Sequence, residues 1–279
     1  MKNSRSSFNN VLISLIKCAG YYGVYFVLNE VVIVICMVVM MLKHPSSDPQ
    51  AMLNTVVVPL TLLCNALFLL GTAVFYNRSK TYLSFANRMK VRPLNSKAVP
   101  FIICLGVSAM FTVNLVLGLI PFPESWMEML SDNSDMITSA SMLMQVVCVG
   151  LISPIAEEVI FRGLMLTTLK KSMHPWVAIV LSSIVFGVVH GNPIGIIYAT
   201  GMGILMGWLF HKTKSIVASC IFHMIYNLVS LFAIYISETM LVLITFLSLA
   251  IFVVCIVFLA RIPAAEVKNK DESFDDDEV

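Results

Sequence analysis

The sequence predicts an all-α, polytopic integral membrane protein with about eight transmembrane helices, and three observations carry that prediction. Of its 279 residues, 58% are hydrophobic and only 12% charged, with a mean hydropathy of +0.89. Soluble domains carry about 25% charged residues, so lipid must form much of the outer boundary. The apolar residues also fall into eight stretches, at about 18–42, 54–76, 98–120, 139–169, 175–191, 194–211, 215–236 and 239–260. Each is close to the roughly 20 residues that cross a bilayer. Finally, with the N-terminus placed in the cytoplasm, 16 of the 18 Lys and Arg residues fall in cytoplasmic segments, as positive charge does in membrane proteins. Lys43 then lies outside and Arg162 within a span. An odd number of spans spoils the sorting, so both termini are expected in the cytoplasm.

The first apolar run, from about Val11 to Leu42, exceeds the 7–15 residues of a signal-peptide core and is expected to stay as an anchor. Residues 43–53 hold Pro45, Ser46, Ser47, Asp48 and Pro49, a turn-forming mixture. Residues 77–97 are expected to be a basic loop, with Arg78, Lys80, Arg88, Lys90, Arg92 and Lys97. Residues 121–138 are expected to be an acidic one, with Glu124, Glu128, Asp132 and Asp135. In the sixth stretch, Gly203 and Gly207 form a small-x-x-x-small step that lets helix backbones approach in lipid. After Arg261 an acidic tail reads as solvated. Three regions result: 1–138, with helices 1–3 and the basic loop; 139–236, a core of helices 4–7; and 237–279, the last helix and the acidic cytoplasmic tail. The seven cysteines all lie in apolar stretches without a Cys-x-x-Cys pair, which suits packing. No basic tract suggests a nucleic-acid partner.

The fourth stretch contains Glu157, Glu158 and Arg162. Three charges in one span cost on the order of 8–10 kcal/mol before pairing, so they need mutual pairing or a function. Arg162 follows Glu158 by four residues, which places the two on one helical face and lets them pair. Glu157 sits about 100° around the helix and stays available. Pro154, just ahead of the pair, is expected to kink the helix. The next spans add imidazoles in two i, i+4 pairs, Phe186 with His190 and His223 with Asn227. At 1.5 Å per residue, Glu157, His190, His223 and Asn227 each lie about 16–22 Å from their nearest Lys or Pro boundary. Four polar groups from three helices therefore share one layer.

Amide hydrolysis suits such a layer. A carboxylate or imidazole can serve as general base towards water, and His and Asn side chains can donate to a tetrahedral oxyanion. Ser153, four residues before Glu157, is a poor candidate nucleophile. Glu157, His190 and His223 could also make a two-His, one-carboxylate zinc site. There is no His-Glu-x-x-His, and carboxylate-activated water needs no ion, so no cofactor is expected to be required.

Glu157-Glu158-x-x-x-Arg162, Phe186-x-x-x-His190 and His223-x-x-x-Asn227, in this order on successive helices, resemble the CPBP family. That family includes the type II CAAX prenyl endopeptidases and the bacterial Abi proteins. The resemblance covers about residues 139–236. It implies an eight-helix fold enclosing a polar active-site cavity open to the cytosol, with 139–236 as the catalytic core. It implies an intramembrane endopeptidase in which Glu157 and His190 activate water and His223 and Asn227 stabilise the oxyanion, with Glu158, Arg162 and Phe186 as structural support. The implied partner is a membrane-associated peptide or lipidated protein. Chain size and compact loops favour a bacterial cell membrane, and peptide processing or immunity over prenyl-protein processing.

Rival readings keep the same scaffold. One is a non-catalytic binding or immunity protein. Another is a transporter or proton relay using Glu30, for which the plainer account is a pairing with Asn29 or Asn114. A haem protein with His190 and His223 as axial ligands leaves Glu157 and Glu158 without a role.

Overall fold

The computed structural model describes residues 2–80, 82–233 and 235–265. The acidic tail anticipated beyond residue 265 lies outside them. Helix dominates throughout, and no strand occurs among the described residues. In chain order the helices are α1 (Lys2–Lys43), α2 (Pro49–Arg78), the short α3 (Phe85–Arg88), α4 (Val99–Gly118), α5 (Glu124–Thr138), α6 (Met142–Leu169), α7 (Pro175–Val188), α8 (Pro193–Thr213), α9 (Ile216–Ala233) and α10 (Glu238–Arg261). Seven of them are long and apolar enough to cross a membrane. Their outward faces are apolar, as with Val24, Val27, Val31 and Val34 on α1 and Val242, Leu243, Phe246 and Leu247 on α10. An apolar outer face is what a lipid surround selects.

Two segments depart from the sequence expectation. The fifth apolar stretch is helical only over Pro175–Val188, 14 residues or about 21 Å, short of the roughly 30 Å hydrocarbon core. Local chemistry ends it early. Gly191 takes a left-handed φ of +76°, and the Asn192 side chain accepts the Gly195 N–H at 2.6 Å as the N-cap of α8. Pro193 then occupies the first helical position, where its missing N–H costs nothing. His190 therefore sits in the α7–α8 turn. The second departure is residues 121–138, expected as a loop, where α5 forms over 15 residues. Its acidic, mixed composition hides it from a search for continuous apolar runs.

Asp48 starts α2 as its N-cap, accepting from the Gln50 and Ala51 N–H groups at 3.3 and 3.0 Å, with Pro49 behind it. The basic segment after α2 is docked rather than loose. Met89 is fully buried beside Gly163 of α6. Arg88 donates to the Thr167 and Thr168 hydroxyls, and the Lys90 carbonyl accepts the Ile216 N–H at 3.1 Å.

The centre of the bundle is α6. It touches α1, α2, α7, α8 and α9, and residues 158–169 are buried without interruption, as expected of a helix enclosed on all sides. The tightest hairpin is α7–α8, while α4 packs against α9 and α10 and α1 against α2. Within α6, the segment Ser153–Glu158 is α-helical but flanked by π-helical turns at Val146–Ile152 and Val159–Leu166. The Ser153 N–H bonds Cys148 O, five residues back. A proline ring clashes with the carbonyl four residues before it, and the wider turn ahead of Pro154 accommodates that ring. Such π segments interrupt α-helices where function needs an irregular side-chain register.

Glycines let α7 and α8 meet. A Cβ on Gly203 would approach Ser183 Cβ to 2.9 Å, and one on Gly207 would approach Ile179 Cγ2 to 2.9 Å. A Cβ on Gly187 would lie 2.7 Å from the backbone carbonyl of Ile196, which cannot swing aside. Gly201, by contrast, has nothing within 4 Å of that position. Gly187→Leu is expected to destabilise the fold by about 1–3 kcal/mol through overpacking, while Gly201→Leu leaves it nearly unchanged; thermal unfolding of both variants in detergent checks the difference.

Candidate active site

The polar residues of α6, α7 and α9 converge around one ion pair. Glu158 is fully buried and Arg162 is 1% exposed. Arg162 Nη1 donates to Glu158 Oε1 at 2.8 Å, the i, i+4 geometry that their spacing permits. Arg162 Nη2 donates to the Gly203 carbonyl of α8 at 2.9 Å, using the second lone pair of a helical carbonyl. The guanidinium carbon stands 4.8 Å from the centre of the Phe186 ring, a cation–π approach from α7. One side chain thus ties three helices together. Glu158 Oε2 and Arg162 Nε have no hydrogen-bond partner among the described residues, so the pair is costly to bury and costlier to break.

His223, on α9 and 6% exposed, lies between the two adjacent carboxylates. Its Nδ1 is 3.1 Å from Glu158 Oε1. A carboxylate paired with arginine can only accept, so this geometry assigns a proton to Nδ1. Nε2 then points towards Glu157 Oε2 at 3.7 Å, looser than a hydrogen bond. Glu157 differs from its neighbour in being 25% exposed. Adjacent residues on a helix look in directions about 100° apart, and here one carboxylate faces the core and the other a partly open space.

His190 enters from the α7–α8 turn. Its Nδ1 is 2.8 Å from the Phe186 carbonyl, and since a carbonyl only accepts, Nδ1 carries a proton; in the neutral form of the ring Nε2 then has the free lone pair. The Phe186 ring packs edge-on against both imidazoles, with centroids 4.9 Å from His190 and 5.8 Å from His223. It stands between the two rings as a shared spacer. Asn227, one turn beyond His223, donates one amide hydrogen to Val149 O of α6 at 2.9 Å. The second hydrogen of its amide is available to a ligand.

Glu157, His190 and His223 are the candidate zinc donors. His190 turns its Nδ1 to a backbone carbonyl, and His223 gives its own to Glu158. No group of three or more His, Cys, Asp or Glu side chains able to hold a metal ion occurs among the described residues. Each ring keeps its Nε2 for coordination, the arrangement usual in metal-binding histidines whose Nδ1–H is held by a carbonyl or carboxylate.

The structure adds residues that motif reading passed over. Phe161 packs edge-on against Phe186 at 5.0 Å and, tilted, against Tyr22 of α1 at 6.4 Å. Tyr198 of α8 meets His190 at 6.1 Å. Tyr25, Tyr198 and Cys148 all lie within electrostatic reach of Glu157. Lone polar groups inside apolar spans were the available signal, and Asn65 gave the same one. Ser153, considered as a nucleophile, instead has an oxygen that accepts from the Asn65 amide at 2.7 Å. Glu30 is exposed on α1, and its two suggested partners are engaged elsewhere: Asn29 donates to Tyr25 O at 2.9 Å and Asn114 to Met110 O at 3.1 Å.

Removing one member of the central ion pair strands the other in a low-dielectric interior. Arg162→Met is therefore expected to destabilise the protein by about 3–5 kcal/mol, and the double variant Glu158→Gln with Arg162→Met by clearly less; comparing their thermal unfolding with wild type measures the coupling.

The segment that holds these residues is similar to known proteins. Residues 139–229 match the family model described as Type II CAAX prenyl endopeptidase Rce1-like. A curated relative, the "Putative membrane peptidase YdiL" of Bacillus subtilis (strain 168), is 29% identical over 84 residues, which cover 30% of this chain and 34% of the relative. The aligned stretch thus spans about a third of the relative's length. No solved structure matches. All of the residues described above on α6, α7 and α9 fall inside the matched segment, and the CPBP resemblance of the three motifs is carried there: residues 139–229 form an Rce1-like segment within a polytopic helical membrane protein.

Proposed function

We propose that the protein is an intramembrane endopeptidase of CAAX-protease type that hydrolyses a peptide bond with water activated by Glu157 and His190. The observation that carries this reading is the division of labour between adjacent carboxylates. Glu158 is sealed in an ion pair, while Glu157 is partly open beside His223. In the reaction, a water oxygen attacks the substrate carbonyl carbon and its proton passes to Glu157, with His190 Nε2 as a second acceptor oriented by the Phe186 carbonyl. The oxyanion that forms is held by the free amide hydrogen of Asn227 and by His223 Nε2–H when both ring nitrogens carry protons. The C–N bond then breaks, and Glu157 returns the proton to the leaving amine. The chain's own groups supply each of these steps, so no metal is required in this reading; zinc is the alternative that a chelation experiment decides.

The substrate class we propose is a membrane-associated peptide or lipidated protein, and the cellular setting a bacterial cell membrane with both termini in the cytoplasm. Similarity to a Bacillus subtilis relative named as a putative membrane peptidase supports peptide-bond hydrolysis at a membrane; peptide processing or immunity, rather than prenyl-protein processing, is the role we propose. An open groove of about 500 Å³, which shares Tyr198 with the surroundings of His190, supports an apolar ligand. It is lined by Thr112 and Val113 of α4, Tyr198 and Gly201 of α8, and Phe252 and Ile256 of α10, among others. Its Tyr198 wall is the ring that touches His190. Ligand pockets of a few hundred Å³ with mostly apolar walls are of the expected kind.

Quenched-fluorescence membrane peptides, with and without a lipid anchor, test the activity on purified protein. Glu157→Gln and His190→Ala are each expected to lower cleavage by at least about 100-fold, and a chelator to leave the wild type unaffected. Undiminished cleavage by both variants removes the catalytic assignment. Loss with chelator and recovery with zinc removes the metal-free mechanism.

A further inference from the structure

The chain leaves the helical path at His190, and the way it leaves governs the imidazole. In a continuous α-helix the His190 N–H would bond the carbonyl four residues back, that of Phe186. Here it bonds the Gly187 carbonyl at 3.0 Å instead, and the Gly191 N–H bonds the Val188 carbonyl at 3.2 Å. The last carbonyls of a helix lack the donors that a further turn would supply. The Phe186 carbonyl takes the His190 Nδ1 proton at 2.8 Å. The ring thus uses an acceptor that is open to it because α7 stops.

Asn192 holds that stop in place. It is 3% exposed, and an amide so enclosed is unfavourable unless its polar atoms are bonded. Its Oδ1 accepts the Gly195 N–H at 2.6 Å, while its Nδ2 reaches the His190 carbonyl at 3.4 Å. The first bond is short and the second long by hydrogen-bond standards, so the cap on α8 is the stronger hold. The main-chain N–H of Asn192 meets the His190 carbonyl as well, at 2.9 Å. Gly195 makes room for the cap, since a Cβ there would stand 2.7 Å from Asn192 Nδ2. Helix α8, fixed at this end, also carries Tyr198, whose ring meets that of His190 at 6.1 Å.

We propose that Asn192 is a positioning residue for His190: by capping α8 it holds His190 outside the helix, which keeps the Phe186 carbonyl on Nδ1 and fixes the neutral ring in the tautomer whose Nε2 is bare. The bond made by one imidazole nitrogen sets the proton state of the other, and Nε2 is the acceptor in the hydrolysis proposed for this site. The kinetic part of this inference rests on the peptidase reading; the spectroscopic part does not.

Loss of a cap lowers stability wherever it occurs, so stability alone does not test a positioning role. Asn192→Ala deletes the cap of α8, and Asp48→Ala deletes that of α2; each is expected to lower the thermal midpoint by a few degrees. The deciding readout is the pair of His190 imidazole signals in nitrogen magnetic-resonance spectra of the full chain with isotope-labelled histidine. They are assigned by their loss in His190→Gln and recorded at about pH 8.5, where an ordinary imidazole is neutral. Wild type is expected to show a protonated Nδ1 and a bare Nε2. In Asn192→Ala the separation of the two signals is expected to fall by about half, as the second tautomer becomes populated. Asp48→Ala is expected to keep the wild-type pair, as is Asn192→Ser, which retains a capping oxygen. On a cleaved peptide, Asn192→Ala is expected to lower kcat about tenfold with KM unchanged, and Asn192→Ser to restore it. An unchanged pair in folded Asn192→Ala overturns the proposal, as does a shifted pair in Asn192→Ser or Asp48→Ala. Absence of cleavage by the wild type would remove the peptidase reading and leave the His190 signals to decide this one.

Discussion

The arrangement of the bundle interior depends on the buried Glu158–Arg162 pair. Neither charge is tolerable alone in an interior of low dielectric, so each holds the other in place, and the groups around them are held by their remaining valences. Arg162 reaches the Gly203 carbonyl of α8 and lies over Phe186 of α7, while Glu158 takes the Nδ1 proton of His223 on α9. One carboxylate oxygen therefore decides which nitrogen of His223 faces Glu157. The pair stabilises little by itself; its effect is to make the geometry of its neighbours single-valued.

That geometry needs α6 to be irregular. A regular helix through Pro154 would press the ring against the carbonyl of Gly150. The π-helical turn Val146–Ile152 widens the backbone there, and a second follows over Val159–Leu166. Between them, Ser153–Glu158 presents Ser153 to α2 and Glu158 to Arg162. Gly150 also lies under Leu228 of α9, whose Cδ2 would stand 2.6 Å from an added Cβ. This close approach of α6 and α9 is what brings Asn227 to Val149 O.

Much of the site could be read in advance because helical spacing is a local property. The pairing of Arg162 with Glu158 and the separate direction of Glu157 follow from four-residue and one-residue steps on any helix. Phe186 and His190 kept their i, i+4 relation even though the helix ends at Val188, because the imidazole bonds the Phe186 carbonyl across the turn. The early end of α7 was legible in Gly191, Asn192 and Pro193, but continuous hydropathy across 175–191 masked it. Helix α5 was hidden for the opposite reason, since a mixed polar surface segment lacks the apolar run that marks a span.

Sequence by itself determined the membrane setting, the order of the apolar helices, and which polar residues carry the cost of lying within them. These follow from composition and from a helical repeat that needs no neighbours. Only the tertiary structure decided which partners those residues take across helices. His223 sits between two adjacent carboxylates, Phe186 spaces two imidazoles, Arg162 bonds a glycine carbonyl, and Asn65 reaches Ser153 across 88 positions of chain. Contacts at such separations depend on how helices cross, which no local pattern encodes; the small-x-x-x-small step at Gly203 and Gly207 marked a place of close approach without naming the helix that meets it.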